Sequence, residues 1–187
     1  MGYHPLSASS HRHLKILHKP GGTLDITIRR YRTSDAVEVG RLIADTFCEF
    51  NLSYASSEEQ ERLLGPFRHT RSDDASHQEA IAQLILATWV WVATDGEKIV
   101  GVLRGSPGRL HSLFVSEHAH RQGIGRKLMN TFEKKAFKAG AEKITMQATL
   151  YAVPFYQSFD YKRSTGVRTG SCFDGTGFKY QPMKKVL

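Results

Sequence analysis

Residues 113–128 read LFVSEHAHRQGIGRKL, and this stretch decides the fold. The run at 110–115 is short and largely apolar, which predicts a buried strand. After the glycines, apolar side chains recur at every fourth position, as they do on one face of a helix: Ile124, Leu128, Phe132 and Ala136. Gly140 follows this face, where a helix commonly ends in a left-handed residue. The stretch therefore predicts a strand, a tight turn and an amphipathic helix.

The turn between these two elements is a candidate anion site. Gly123 and Gly125 leave backbone N–H groups uncovered at the predicted helix N-terminus, where the helix dipole also favours negative charge. The pattern lacks the third glycine of a Rossmann fingerprint and the Gly-Lys-Ser/Thr end of a Walker A loop. A tight turn that binds nothing explains the two glycines equally well, so the rest of the chain has to decide between these interpretations.

Length and composition predict one globular domain after a short extension. The chain has 187 residues, of which 40% are hydrophobic and 24% charged, as is ordinary for a globular protein. Residues 1–22 are predicted to be a flexible N-terminal extension, and residues 23–187 a single domain. No apolar run approaches the roughly 20 residues of a membrane span, no secretory signal is visible, and Cys48 and Cys172 form no paired spacing. We therefore expect a cytoplasmic protein that does not bind a membrane.

The net charge of +8 favours an anionic partner, and a basic protein from a basic proteome is the alternative interpretation. The basic residues are scattered rather than gathered in an arm or a stripe, which argues against nucleic acid. A phosphorylated small molecule would satisfy the same charge. His118 and His120 have the spacing of a metal pair, but no third ligand stands nearby, so no metal site is predicted.

The rest of the chain reads as helices and short strands. Strands are predicted at residues 25–30, 89–94, 98–104, 110–115, 143–147, 161–167 and 177–183. Helices are predicted to be capped by Ser34, Ser57 and Ser76, to follow the glycine turn, and to cover 151–159. Asp95-Gly96 between two β-rich runs is a strong hairpin signal. This order predicts an α/β (α+β) fold, with a mixed sheet and helices on both faces.

Several segments occur in the order and spacing of one known family. A valine-rich hairpin (90–93 and 99–102) leads to Leu113-Phe114-Val115, then to Arg121-Gln122-Gly123-Ile124-Gly125, and then to Ala152-Val153-Pro154-Phe155-Tyr156. This combination, over roughly residues 25–187, resembles the GNAT family, the Gcn5-related N-acetyltransferases. The resemblance implies a central, mostly antiparallel sheet that is splayed between its fourth and fifth strands.

By this resemblance the glycine turn holds the pyrophosphate of acetyl-CoA, and pantetheine pairs with exposed backbone at the splay. The implied cofactor-binding residues are Phe114, Val115, His120, Arg121, Gln122, Gly123, Ile124, Gly125 and Arg126. Two positions depart from the family pattern. His120 stands where the family has Gln or Arg, although backbone donors do not depend on that side chain. Asp160 stands where the family usually has Gly, and we expect it to adopt a left-handed backbone.

The implied chemistry is acetyl transfer from a thioester to an amine, which needs a neutral amine and a proton for the departing thiolate. Tyr156 matches the tyrosine that supplies this proton in the family, and Tyr151 is a nearby competitor. Some family members carry a glutamate base on the strand at 110–115, where this sequence has none. His111 is the titratable residue there, although an ordinary edge or surface histidine explains this position equally well, and ordered water is the alternative base. A backbone N–H near Val115 is a candidate donor to the developing oxyanion.

The sequence therefore predicts an N-acetyltransferase that moves the acetyl group of acetyl-CoA directly to a primary amine. A non-catalytic acyl-CoA-binding or regulatory module of the same fold is the alternative. The acceptor is expected to be a small-molecule amine or a peptide amine, selected by residues 47–74 and the last two strands. Members of the family often pair through edge strands, so a homodimer is expected from the resemblance alone.

Overall fold

The computed structural model describes residues 24–173 and 175–187, so the extension predicted at residues 1–22 lies outside the described residues. In this part of the chain eight strands form one sheet: β1 Ile26–Arg30, β2 Trp89–Asp95, β3 Lys98–Ser106, β4 Arg109–Val115, β5 Lys143–Thr149, β6 Lys162–Arg163, β7 Arg168–Cys172 and β8 Gly175–Val186. The α-helices around it are α1 Ala36–Asn51, α2 Ser57–Leu64, α3 Ala75–Ile85, α4 Ile124–Lys138 and α5 Val153–Gln157. None of these helices is long and apolar enough to cross a membrane.

The sheet has the strand order β1-β2-β3-β4-β5-β8-β6, and β7 pairs with β8. Neighbouring strands are antiparallel except for β4 and β5, which are parallel. The β2–β3 hairpin turns at Gly96, whose φ of 57° is the left-handed value that an Asp-Gly turn favours. The predicted mixed, mostly antiparallel sheet is confirmed.

Strands β4 and β5 separate soon after they meet. Their ladder contains one register pair, Arg109 opposite Thr145, and the Thr145 amide donates to the Gly108 carbonyl at 2.9 Å. On its other edge, β5 pairs with β8 along its whole length. Beyond Arg109, β4 therefore presents an open edge to the gap between the two strands. This confirms the predicted splay between the fourth and fifth strands.

Apolar side chains fill both faces of the sheet, so the sheet is the middle layer. Helix α4 packs its buried face, which includes Leu128 and Phe132, on one side. Helices α1, α2 and α3 pack on the other side. Glycine permits close packing here: a Cβ at Gly105 would lie 2.5 Å from the Phe132 ring, and one at Gly40 would lie 2.8 Å from Ile81. The predicted helices on both faces are confirmed.

The start of α1 differs from the prediction of a Ser34 cap. The helix begins at Ala36, after a short 3-10 turn, and the Asp35 side chain organises this turn. One Asp35 carboxylate oxygen accepts the Arg32 amide at 2.7 Å, and the same oxygen lies 2.7 Å from a guanidinium nitrogen of Arg29. A carboxylate that accepts from both a free amide and a guanidinium stabilises the turn more than a serine hydroxyl does. This explains why α1 begins after Asp35 rather than after Ser34.

The starts of α2 and α3 also differ from the prediction, by one and two residues. Ser56, not Ser57, caps α2, because its hydroxyl accepts the Glu59 amide at 3.2 Å. Asp74, not Ser76, caps α3, and its carboxylate accepts the Ser76 amide at 2.8 Å. In both places two residues that favour N-caps stand close together, so composition alone does not choose between them.

The end of the chain forms three strands, where two were predicted at 161–167 and 177–183. The first is only Lys162–Arg163, and the pairing then continues as a long hairpin of β7 and β8. Strand β7 is mostly exposed and carries no apolar alternation. Its position depends on hydrogen bonds to β8 rather than on burial, so hydrophobic periodicity could not find it.

Candidate active site

A cavity of about 820 Å³ occupies the gap between β4 and β5. The two strands supply its long walls through residues 110–115 and 146–149. The turn before α4 closes one end, α5 and the preceding residues line the floor, and the C-terminal end of α1 lies across the other face. The cavity therefore connects the glycine turn with the helix that carries Tyr156.

The glycine turn presents free backbone donors to this cavity. Arg121 and Gly123 have left-handed backbones, with φ of 62° and 74°. The Lys127 amide is the first donor of the helix and donates to the Gly123 carbonyl at 3.0 Å, so the amides of residues 124–126, which precede it, have no partner within α4. They point outward from the positive end of the α4 dipole, which suits an anion.

Close contact joins the first turn of α4 to α5. A Cβ at Gly125 would lie 3.1 Å from the Phe155 ring, so only glycine fits this position without displacing that ring. The Arg126 guanidinium lies 4.6 Å from the centre of the Phe159 ring. Phe155 also contacts Tyr156, with ring centres 5.2 Å apart. The glycine-turn end of the cavity and its tyrosine are thereby held in one packed unit.

The open edge of β4 directs alternate backbone groups into the gap. The Ser116 amide donates to the Val100 carbonyl of β3 at 3.0 Å, and Phe114 lies opposite Val102 in the same ladder. Since backbone groups alternate along an antiparallel strand, Leu113 and Val115 direct theirs away from β3, toward β5. The contact of His120 with the Val115 carbonyl agrees with this direction.

His120 connects the turn to the end of β4. Its Nε2 lies 2.8 Å from the Val115 carbonyl, a distance at which Nε2–H donates and the oxygen accepts. Its ring centre is 4.9 Å from that of Phe50 at the end of α1, and Phe50 in turn stacks on Tyr151 at 5.4 Å. The departure from the family's Gln or Arg therefore has a structural explanation, because the imidazole bonds the strand and packs against α1.

The two candidate tyrosines occupy different places. Tyr156 is 6% exposed and lines the cavity, whereas Tyr151 is 58% exposed and lies at the rim against Phe50. Burial raises the pKa of Tyr156 well above the ordinary value of a phenol. Tyr156 is thus the tyrosine that holds its proton inside the cavity.

His111 also lines the cavity, from β4, and its Nε2 lies 3.1 Å from the Ser106 hydroxyl. Its pKa is lowered, chiefly because part of the ring is withdrawn from water, and also because Arg104 and Arg109 lie nearby. The imidazole therefore stays neutral to a lower pH than a free histidine does.

Of the residues predicted to bind a cofactor, Gln122 is not in the cavity wall and lies exposed on the turn. Phe114 contributes a buried side chain that packs edge-on against Phe47, while its backbone pairs with β3. Asp160 has a φ of 67°, as expected for the position of the family's glycine. Among the described residues, no group of three His, Cys, Asp or Glu side chains could hold a metal ion.

Residues 47–74 and the last two strands were expected to select the acceptor, and Phe47, Phe50, Asn51, Phe178 and Tyr180 of these segments line the cavity. Sequence reasoning missed Thr46 of α1 and Ser171, Cys172 and Phe173 of the β7–β8 hairpin, which line it too. It also missed Ser112 and Asn51 as polar groups of the site. Ser112 Oγ and Asn51 Oδ1 are buried and have no hydrogen-bond partner among the described residues. Because buried polar atoms usually have partners, both are available to a bound molecule.

Comparisons with known proteins agree with this geometry. A family model described as an acetyltransferase (GNAT) domain matches residues 54–187. A protein of Bacillus subtilis (strain 168), named an uncharacterized N-acetyltransferase YjcF, is 33% identical over 75 residues, which are 38% of this chain and 54% of that protein. The match thus spans about half the length of that relative.

Solved structures show the same fold. A GCN5-related N-acetyltransferase from Rhodopseudomonas palustris superposes with a TM-score of 0.69 at 23% identity, covering 91% of this chain and 99% of that one. The PaiA N-acetyltransferase of Thermoplasma acidophilum, solved in complex with coenzyme A, gives 0.60 at 17% identity over 88% and 100% of the two chains. YncA of Salmonella typhimurium, a putative acetyltransferase solved with acetyl-CoA, gives 0.55 at 15% over 87% and 94%.

The chain belongs to the GNAT acetyltransferase family. Membership supports acetyltransferase activity in general, and the fold of the described residues agrees with it.

Proposed function

We propose that the protein transfers the acetyl group of acetyl-CoA directly to a primary amine. The observation that supports this most strongly is the continuous cavity that runs from the free amides of α4 through the β4/β5 gap to Tyr156. A long phosphorylated thioester matches this shape, because its phosphates suit the amides and its acyl end then lies toward the tyrosine. When bound, acetyl-CoA supplies the activated acetyl group. Two of the similar structures hold coenzyme A or acetyl-CoA.

The binding roles follow from the open backbone groups. The amides of residues 124–126 hold the pyrophosphate, with Arg121 and Arg126 beside it as cations. The edge of β4 at Leu113 and Val115 offers backbone partners to the pantetheine amides in the manner of an added strand. The unpartnered oxygens of Ser112 and Asn51 provide further polar contacts in the same cavity.

Transfer without an acetylated enzyme is favoured by the state of the cavity thiol. Cys172 lines the cavity, but burial raises its pKa to about 12. A thiol with so high a pKa is almost entirely protonated near neutral pH, and the protonated form is a poor nucleophile. The amine is therefore the group that attacks, and no covalent acetyl-cysteine is required.

In this scheme Tyr156 both donates and accepts a proton. Its hydroxyl gives a proton to the departing sulfur and regains one that the amine nitrogen must lose as the new C–N bond forms. Since burial strongly disfavours a phenolate at this position, the two proton transfers are coupled and the tyrosine ends the cycle neutral. His111, whose pKa is lowered by partial burial and the nearby Arg104 and Arg109, removes the proton from the incoming ammonium, directly or through ordered water.

Two measurements test the proposal. Calorimetry with acetyl-CoA measures binding, and mass spectrometry after incubation with a panel of primary amines measures acetylated product. Tertiary amines of matched shape, which cannot give a stable amide, serve as controls. We expect binding and acetylation of at least one primary amine. Binding without acetylation across the panel would support the non-catalytic acyl-CoA-binding module instead, and a lack of binding would exclude both functions.

A further inference from the structure

A second depression continues the cavity along the sheet. It has a volume of about 320 Å³ and shares Met146, Gln147 and Tyr180 with the main cavity. Its remaining walls come from the first residue of β4, from β5, from the segment before β7, from the first residue of β7 and from β8: Arg109, Thr145, Ser164, Thr165, Arg168, Pro182, Met183 and Lys184. A molecule whose amine lies in the main cavity can therefore extend into this depression.

The charged side chains that line the depression are all positive. Arg109, Arg168 and Lys184 lie in its walls, and all three are exposed. None of the three forms an ion pair with another described residue, and the described walls of both cavities contain no carboxylate. A patch of three unneutralised cations next to a binding cavity attracts an anion.

The phosphates of the cofactor do not account for these cations. Arg109 is the first residue of β4, whereas the phosphate-binding turn follows its last residue, Val115. At about 3.3 Å per residue the strand separates these two ends by roughly 20 Å. The basic depression therefore lies at the acceptor end of the site.

Resting on the proposed function, we propose that the acceptor is a primary amine that also carries an anionic group, a carboxylate or a phosphate, held by Arg168, Lys184 and Arg109. The unpartnered Ser112 hydroxyl lies three residues beyond Arg109 on β4, about 10 Å along the strand. Ser112 lines the main cavity, where the amine lies, and Arg109 lines the depression, where the anion lies. The geometry thus favours an acceptor whose amine and anion are separated by several bonds. Polyamines and aminoglycosides are disfavoured, because their additional positive charges meet only cations here.

The test compares acceptors that differ in charge alone. Unbranched ω-amino carboxylates and ω-aminoalkyl phosphates of increasing length are assayed against ω-amino alcohols of the same length. We expect kcat/KM for the best charged acceptor to exceed that of its alcohol at least tenfold. The carboxylate and phosphate series show which anion is preferred. Equal values for charged and neutral acceptors would overturn the proposal while leaving the acetyltransferase function intact, because the alcohols would still be acetylated.

Substitutions in the depression then test where the anionic group of the acceptor is bound. Arg168→Gln and Lys184→Gln should each raise KM for the charged acceptor about tenfold and leave kcat/KM for the amino alcohol unchanged. Lys162→Gln is the matched control, since Lys162 is an exposed cation on neighbouring β6 that does not line the depression. The proposal fails if the control has the same effect, or if the two variants impair charged and neutral acceptors alike. Loss of acetylation with every amine would instead count against the proposed function.

Discussion

Tyr156 and Tyr161 provide a matched pair of buried phenols at the residue scale. They are 6% and 1% exposed, with ring centres 6.1 Å apart, but only Tyr156 lines the cavity. We predict that Tyr156→Phe lowers kcat about 100-fold or more and leaves the Kd for acetyl-CoA nearly unchanged, because the ring is retained and only the proton donor is lost. Steady-state kinetics and calorimetry measure the two effects.

Tyr161→Phe removes a hydroxyl of similar burial outside the cavity, so it should keep kcat within about threefold. If the two variants lose activity equally, the role of Tyr156 is one of packing rather than of proton transfer. If the loss in Tyr156→Phe appears as weaker acetyl-CoA binding, the hydroxyl is a binding group instead.

His111 makes a prediction about pH dependence. Its folded-state pKa lies below the ordinary value of about 6.5, so the neutral, base-competent form persists as the pH falls through 6.5. We expect the acid limb of the kcat/KM profile to lie below pH 6.5 and to disappear in His111→Asn. Rates measured from pH 5 to 9 decide this. An unchanged profile in the variant would assign the base to ordered water.

At the scale of elements, the contact between α4 and α5 explains why the second glycine of the turn matters. A methyl group at Gly125 has to displace the Phe155 ring, which it would meet at 3.1 Å. Since Phe155 adjoins Tyr156 in α5, we predict that Gly125→Ala lowers kcat as well as acetyl-CoA affinity, and lowers the free energy of unfolding by about 1–3 kcal/mol.

Gly123→Ala is the contrasting variant for this prediction. A Cβ at Gly123 meets nothing within 4 Å, but its φ of 74° disfavours alanine. Gly123→Ala should therefore weaken acetyl-CoA binding and lower the free energy of unfolding by about 1 kcal/mol, while kcat at saturation stays close to that of the unmodified protein. Kinetics that separate kcat from KM, with thermal unfolding, distinguish the two glycines. If Gly123→Ala and Gly125→Ala changed kcat and KM identically, displacement of the Phe155 ring would not be the cause of the lower kcat.

Elements with strong local signals could be predicted from the sequence, and those without them could not. The Asp95-Gly96 hairpin and the β4–turn–α4 unit have adjacent residues that specify both the turn and the flanking periodicity. The N-caps of α2 and α3 were misplaced because two N-cap residues compete at each start, Ser56 with Ser57 at α2 and Asp74 with Ser76 at α3. Strand β7 was missed because it is polar and exposed, and only its partner β8 positions it.

At the scale of the whole molecule, the site could be predicted only in part, for the same physical reason. The glycine turn is contiguous in sequence, so the resemblance could suggest it as the cofactor-binding segment. The proposed acceptor side joins residues from α1, β4 and the last two strands, such as Phe50, Arg109 and Arg168. Their proximity is a property of the strand order and of the β4/β5 gap, which no local pattern records.

The same gap divides the sheet into β1–β4 and β5–β8, which meet at a single register pair. A molecule that pairs with both edges would join the two halves. Hydrogen exchange can detect this within one strand, because Phe114 already pairs with Val102 while Leu113 and Val115 face the gap. We predict that acetyl-CoA slows exchange of the Leu113 and Val115 amides at least tenfold and leaves the Phe114 amide unchanged.

Adenosine 3′,5′-bisphosphate separates this effect from general stabilisation by a ligand. It carries phosphates but no pantetheine, so it should raise the melting temperature without protecting Leu113 and Val115 selectively. Uniform slowing of all three amides by acetyl-CoA would contradict pairing in the gap. Protection of Leu113 and Val115 by both compounds would mean that closure of the two strands, rather than pairing with pantetheine, covers the open edge of β4.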